Sequence, residues 1–532
     1  MPKEYIRCGS VAVVEESFKS ISPAEFFYKN KEIAGFSNPA RALYQTIREL
    51  VENSLDATEN HGILPTVKVS IRELDVVPEG AYYEVVVEDN GVGIPPKYVP
   101  QAFAQLLFSS KYVLRQSRGM FGLGAKMAVL YAQITTGYPA EVIVAPIKSK
   151  HIYSFKLKID IRENKPVILN FTTTSNILGK HGTTVRLITL GDWARSKQRI
   201  YEYIKRTAII APYAEILFRD PDSNYLLFER TIDKLPPPAR ETLPHPHGVD
   251  IETMKSILKS LADRPILESL VESFQGIGVM TAQRILAEAG IKQEKKSGEL
   301  TDPEVEALVR VMRSFKDIKP PRADHLSYLG EEIIVAGLKK AFEPEFATAI
   351  TRKPSVFEGH AFIVEVGIAY GGKVPVVEKP LVLRYANKIP LLYDEGSDVV
   401  FKVLDEKKGI DFKVYEIEFP SPLVILTHIC STKIPYRGVG KEAVADIPEI
   451  EEEVESALRE ALRELRSYIL KKRKELEEIE KAVAIAKYIP EIANSLSKMY
   501  KVDPQEISVK LLELLNSRLK SFKIPSLSSV VV

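Results

Sequence analysis

The sequence holds only two cysteines, Cys8 and Cys430, among 532 residues. Two thiols cannot build a disulfide framework or a four-ligand zinc site, and a reducing intracellular compartment is the simplest reading. Long apolar runs are missing as well. None could span a bilayer, and the opening MPKEYIRCGSVAVVEESF has no stretch suited to a secretory signal. An excess of one charge is also absent: 73 basic against 71 acidic residues give a formal +2. That total neither predicts nor excludes nucleic-acid binding, because local patches decide it. Internal repeats and low-complexity tracts are absent too.

What remains is a globular composition, 45% hydrophobic and 27% charged. The length suggests roughly three or four domains. Two proline clusters mark boundaries, since proline fixes φ and disfavours helix before it: DKLPPPARETLPHPHGVD (Asp233–Asp250) and FKDIKPPRADHLS (Phe315–Ser327). The first part mixes a helix, NPARALYQTIRELVENSLDAT, with strands TVKVSIREL, AYYEVVVED, HIYSFKLKID and GTTVRLITL, an α/β layer. The middle is helical: ETMKSILKSLADR, TAQRILAEAG and PEVEALVRVMRSF. The last part has strands HAFIVEVGIAYGG, PLVLRYAN and PLVILTHICST, then a long helix expected from Ile447 to Tyr488.

Four short pieces in the first part bear chemistry. ELVENSLDA gathers Glu49, Glu52, Asn53 and Asp56 opposite the apolar side formed by Leu43, Ile47, Leu50, Val51 and Leu55. Such a polar side faces either solvent or a ligand. Arg48 stands four residues before Glu52, so the two can pair on the helix surface. VVVEDNGVGIP ends a strand in Asp89, Gly91 and Gly93. It reads as a hairpin turn or as a carboxylate that accepts a hydrogen bond from a purine amino group. SRGMFGLGAKMAV places Gly119, Gly122 and Gly124 before a helix, a backbone suited to anions, with Ser110 and Lys111 upstream. GKHGTTVRL opens a strand with Gly182 and Thr183.

In this order and spacing the pieces resemble the GHKL ATPase family, which includes gyrase B, MutL repair proteins, a heat-shock chaperone and histidine kinases. The resemblance implies ATP and Mg²⁺ as cofactors and a Bergerat α/β sandwich. Glu49 would be the general base toward water. Asn53 would hold Mg²⁺ through its carbonyl oxygen. Asp89 would read the adenine amino group, beside Gly91 and Gly93, and Thr183 would support adenine. Gly119, Met120, Phe121, Gly122, Leu123, Gly124, Ala125 and Lys126 would form a lid over the phosphates, with Ser110 and Lys111 beside it. Asp56 would tune the magnesium shell, and Glu52 would be a solvated partner of Arg48.

HICSTKIPYRGVGKEAV (His428–Val444) resembles a transducer loop that carries a lysine to the γ-phosphate, where it neutralises developing charge. Lys433 and Lys441 both qualify. The Ile-Pro at 434–435 resembles the strand end before a longer loop, which favours Lys441. FQGIGVMTAQRILAEAG resembles a helix-two-turns-helix element, which contacts DNA backbone or is an ordinary helical hairpin.

The whole order, with phrases such as SPAEFFYKN and LRYANKIPLLYD, resembles the B subunits of type IIB DNA topoisomerases. The expected fold class is α+β multidomain. A strap at 1–23 would reach the partner protomer, ahead of the ATPase at 24–240, the helical insert at 241–322, the transducer with its long helix at 323–488 and a helical tail at 489–532. The tail is expected to lack the immunoglobulin-like domain of some members. Asp220-x-Asp222 reads as a loop, and none of 23 tyrosines stands out. The resemblance therefore puts DNA cleavage on a separate A subunit, in an A2B2 heterotetramer whose B subunits dimerise with ATP, acting on double-stranded DNA in the cytoplasm at the nucleoid. A chaperone or DNA-repair clamp of the same superfamily is the alternative. A histidine kinase is disfavoured, because none of the eight histidines lies in an obvious phosphoacceptor helix.

Overall fold

The structure is a computed structural model that describes residues 20–110, 113–119, 122–405, 409–438 and 441–519. The chain forms two compact units. The first comprises residues up to Lys205 together with Ala214–Glu229. Its elements are α1 (Pro23–Lys29), α2 (Pro39–Glu59), β1 (Thr66–Val77), β2 (Gly80–Asp89), α3 (Val99–Ala104), α4 (Gly124–Thr136), β3 (Ala140–Ala145), β4 (His151–Asp160), β5 (Lys165–Ser175), β6 (Gly182–Gly191), the first part of α5 (Trp193–Ile210), β7 (Glu215–Arg219) and β8 (Tyr225–Phe228). The eight strands form one sheet in the order β5-β4-β3-β6-β2-β1-β7-β8. Only β1 and β7 run parallel.

α2 starts at a cap: the Asn38 side chain accepts from the Arg41 N–H at 2.9 Å, and Pro39 fills the first turn. Leu43, Ile47, Val51 and Leu55 are 0–1% exposed, and α2 and α4 pack on the sheet and on each other. The opposite side of α2 is not wet either. Gln45, Arg48, Glu49, Glu52, Asp56 and Glu59 are all buried. A polar helix flank enclosed in this way must find partners or a ligand, because unpaired burial is costly.

The second unit takes up at Arg206–Tyr213 and again from Arg230. Four helices, α6 (Ile251–Ser260), α7 (Ile266–Ser273), α8 (Val279–Ala289) and α9 (Asp302–Ser314), close around their own core of Met254, Ile266, Phe274, Ile285 and Met312. The Gly276–Gly278 turn joins α7 to α8, with Gly276 at φ +70°. Next come α10 (Glu331–Phe342), β9 (Phe346–Thr351), β10 (Ser355–Phe357), β11 (His360–Tyr370), β12 (Leu381–Ala386), β13 (Ile389–Pro390), α11 (Val399–Val403), β14 (Leu423–Ser431), α12 (Pro448–Tyr500) and α13 (Pro504–Leu519). The strand order is β10-β11-β14-β12-β13, with β9 on β11. Every residue of β14 is buried, as a strand covered on both faces requires.

α12 is longer than the periodicity indicates. It runs 53 residues, through Pro490, or about 80 Å. Proline in a helix interior costs about 3 kcal/mol. Burial of Ala482, Ala486, Ile489 and Ala493 around that turn, with α13 packed alongside, offsets the lost bond. Among the described residues no helix is long and apolar enough to cross a membrane.

Candidate active site

Glu49, Asn53 and Asp56 lie at i, i+4 and i+7 of α2 and therefore share one stripe. The Glu49 carboxylate accepts from Gln45 Nε2 at 2.9 Å and is 7% exposed. Its other oxygen sits against Gly124: a Cβ built there would lie 1.6 Å from Glu49 Oε2. Gly124 is the first residue of α4, whose start has no side-chain cap. The missing side chain at Gly124 thus lets the carboxylate reach a helix N-terminus, where free N–H groups and the dipole favour negative charge. Asn53 is half-buried one turn further along.

Arg118 closes the far end of the stripe. Its guanidinium donates to Asp56 Oδ1 at 3.0 Å and to both Glu59 oxygens at 2.7 and 3.1 Å. Spacing within α2 alone gives no view of this residue, 62 positions from Asp56. The available signal was the pair Asp56 and Glu59 at i, i+3, which once buried requires a cation. Arg48 and Glu52 do pair, at 2.8 Å, but the expected solvation is wrong: they are 2% and 3% exposed. Both side chains are buried, so this pair is a core element. Burial alone would lower the Arg48 pKa; Glu52, Tyr44 and Glu49 instead raise it well above its ordinary value.

The sheet supplies the other end of the site. β2 and β6 pair with Glu88 opposite Thr184, which brings Asp89 beside Thr183. Asp89 Oδ1 accepts from the N–H groups of Gly91 at 2.9 Å and Thr183 at 3.1 Å. Burial pushes its pKa up to about 6, against the opposing effect of hydrogen bonds from Gly91, Thr183 and Ser54. The Asn90 side chain fastens the strand end, accepting from Thr66 N–H at 2.8 Å and donating to the Leu64 carbonyl at 3.0 Å. Gly182, at φ +125°, allows β6 to begin in contact with Asp89: a Cβ there would lie 1.9 Å from the Asp89 carbonyl oxygen. Gly93 lies against the Ala145 carbonyl at the end of β3.

Before α4, Gly122 (φ +57°) lies against Ser109. Lys126 is 4% exposed, and its ammonium donates to the carbonyls of Phe108 at 2.5 Å and Gly122 at 2.7 Å. Its charge thus fastens this backbone. Ser110 is exposed; Gly119, Leu123 and Ala125 are half-buried. Lys111, Met120 and Phe121 lie outside the described residues, as does most of the expected strap at 1–23.

In the second unit, Lys441 is 8% exposed with φ +54°. Its loop is closed by a Tyr436–Val444 bridge and by Ala445 N–H to the Pro435 carbonyl at 2.7 Å. Asp398 Oδ2 accepts from Val444 N–H at 2.9 Å and lies 3.0 Å from Arg384 Nη1, both side chains 1% exposed. Lys433 by contrast makes an exposed pair with Glu358 at 3.3 Å. Asp220 and Asp222 occupy the β7–β8 turn. The first accepts from Tyr201 Oη at 2.6 Å and the second from Lys197 at 2.7 Å. Among the described residues no group of three His, Cys, Asp or Glu could hold a metal ion.

Residues 38–190 match the family described as histidine kinase-, DNA gyrase B-, and HSP90-like ATPase. Residues 321–481 match the topoisomerase VI B subunit transducer. The chain is 54% identical over 484 residues to the type 2 DNA topoisomerase 6 B subunit of Sulfurisphaera tokodaii, covering 91% of this chain and 90% of that relative. To its counterpart in Saccharolobus shibatae it is 52% identical, covering 91% of each chain. To the counterpart in Metallosphaera sedula it is 50% identical, covering 95% of this chain and 94% of the relative. An ATPase fold followed by this transducer, together with such identity along nearly the whole length, means that the chain belongs to the family of type 2 DNA topoisomerase 6 B subunits, the ATP-hydrolysing subunits of a type II topoisomerase.

Proposed function

We propose that ATP binds along the α2 stripe, with adenine at Asp89 and Thr183 and the phosphates toward the start of α4. The observation that carries this reading is the Glu49 carboxylate seated against Gly124, with Asn53 one turn away and Asp89 at the end of β2. Asp89 holds its carboxylate with one oxygen on two N–H groups, in place to accept from the adenine amino group. Glu49, oriented by Gln45, takes the proton of the attacking water. Glycine backbone ahead of α4 offers N–H groups to the phosphates.

The donor set fits Mg²⁺. Asn53 offers a half-buried carbonyl, and magnesium is commonly held by one or two protein ligands plus phosphate oxygens and waters. When bound, the ion neutralises phosphate charge. Lys441 would bring a further positive charge to the γ-phosphate. The strap at 1–23, the ATPase at 24–240, the insert at 241–322, the transducer at 323–488 and the tail at 489–532 are the working divisions. The insert would contact DNA backbone.

ATP-driven pairing of two copies then gates one DNA duplex, while a separate A subunit cuts and rejoins another, in an A2B2 assembly at the nucleoid. Relaxation of supercoiled plasmid by this chain plus an A subunit tests the scheme. ATP-dependent relaxation is expected; no ATP-dependent strand passage would remove it.

A further inference from the structure

Arg118 is buried, at 3% exposed, in the segment that precedes α4. It binds Glu59 through two parallel bonds and Asp56 through a third, the fork geometry that only arginine supplies. Asp56 and Glu59 stand three and six residues beyond Asn53 on α2. Arg118 is thus seated roughly one turn past the Asn53 carbonyl along the helix axis. Two buried carboxylates at that place would repel a triphosphate approaching Asn53, and they would compete with it for a divalent cation. The guanidinium cancels one of the two charges and occupies three of the acceptor sites.

We propose that Arg118 is a positioning residue for nucleotide: by offsetting the charge of Asp56 and Glu59 it makes the Asn53 face of α2 more acceptable to the phosphates and leaves the cation to them. The role differs from that of Glu49, since Arg118 acts through the carboxylates it covers. It rests on the reading that the phosphates lie along this stripe.

Equilibrium binding of a non-hydrolysable ATP analogue with excess Mg²⁺, measured by calorimetry on the full chain, tests the proposal beside a thermal melt. Arg118→Met should weaken binding about tenfold or more, because the two buried carboxylates lose the charge that offsets them. Arg118→Lys, which keeps the charge but cannot form the fork, should bind more tightly than Arg118→Met and less tightly than wild type. Asp56→Asn removes a negative charge and keeps the Arg118–Glu59 fork, so it should also bind within about threefold. The triple variant Arg118→Met, Asp56→Asn, Glu59→Gln removes all three charges and should recover affinity to within about threefold. It decides the matter if Arg118→Met alone does not fold.

An Arg118→Met chain that melts lower yet binds like wild type would make the residue merely structural and overturn the proposal. A tenfold loss in Asp56→Asn would assign Asp56 itself to the nucleotide or its metal, and would overturn it equally. A tenfold loss in the triple variant would show that charge compensation is not the role. If wild-type chain fails to bind the analogue, the ATP reading falls first, and that outcome is separable from the others.

Discussion

A carboxylate that rests 1.6 Å from where a methyl group would stand is an unusually specific demand on sequence, and Gly124 meets it. Gly124→Ala should therefore displace Glu49 and slow ATP hydrolysis about as much as removing Glu49 does. Glu49→Ala should cut turnover by roughly 10²–10⁴-fold while two copies still pair on ATP, because the base acts on water and not on binding. Steady-state hydrolysis beside a sizing measurement checks both, and wild-type turnover in either variant would remove Glu49 from the role. Asp89 gives a pH dependence. Its pKa, raised to about 6 by burial, means that ionising it costs folded-state stability as pH rises from the ordinary carboxylate value through about 6. Adenine needs the ionised form, so nucleotide affinity should fall as pH drops below about 6 while the apo chain gains stability from this group. A flat affinity between pH 5 and about 7 would contradict the adenine assignment.

At the scale of elements, the Lys441 loop stands on a buried support. Asp398 ties Val444 to Arg384 on β12. Lys441→Ala should slow hydrolysis about 10²-fold, and Lys433→Ala, which loses only an exposed pair, by less than about threefold. The reverse order would show that the wrong lysine was chosen. Asp398→Ala should lower the melting midpoint through a loss of about 3–5 kcal/mol, because the buried Arg384 charge loses its carboxylate partner. Much of α2 was legible in the sequence, since its apolar residues recur at helical spacing on one side. The glycine-bearing strand end and helix start were legible for the same local reason. Two features were not. Burial of the acidic flank depends on Arg118 and α4, more than sixty positions away in chain and unseen by any period. The continuation of α12 beyond Tyr488 depends on packing with α13, which overrides the local penalty of Pro490.

For the whole molecule, the central claim is that nucleotide binding in the first unit becomes pairing of two chains. The sheet, α2 and α4 frame the proposed ATP site. The core around β11, β14 and α12, formed by residues such as Val366, Ile425 and Leu458, holds the sheet of the second unit against its long helix. Nothing in the ATPase unit alone requires strand passage. That follows from membership in the topoisomerase 6 B-subunit family, whose transducer match covers residues 321–481. Sedimentation of the full chain, with and without a non-hydrolysable ATP analogue and Mg²⁺, tests the claim most directly. The expected result is a shift from monomer to dimer only with nucleotide. Sedimentation that is the same in both conditions, with the analogue shown to be bound, would contradict it.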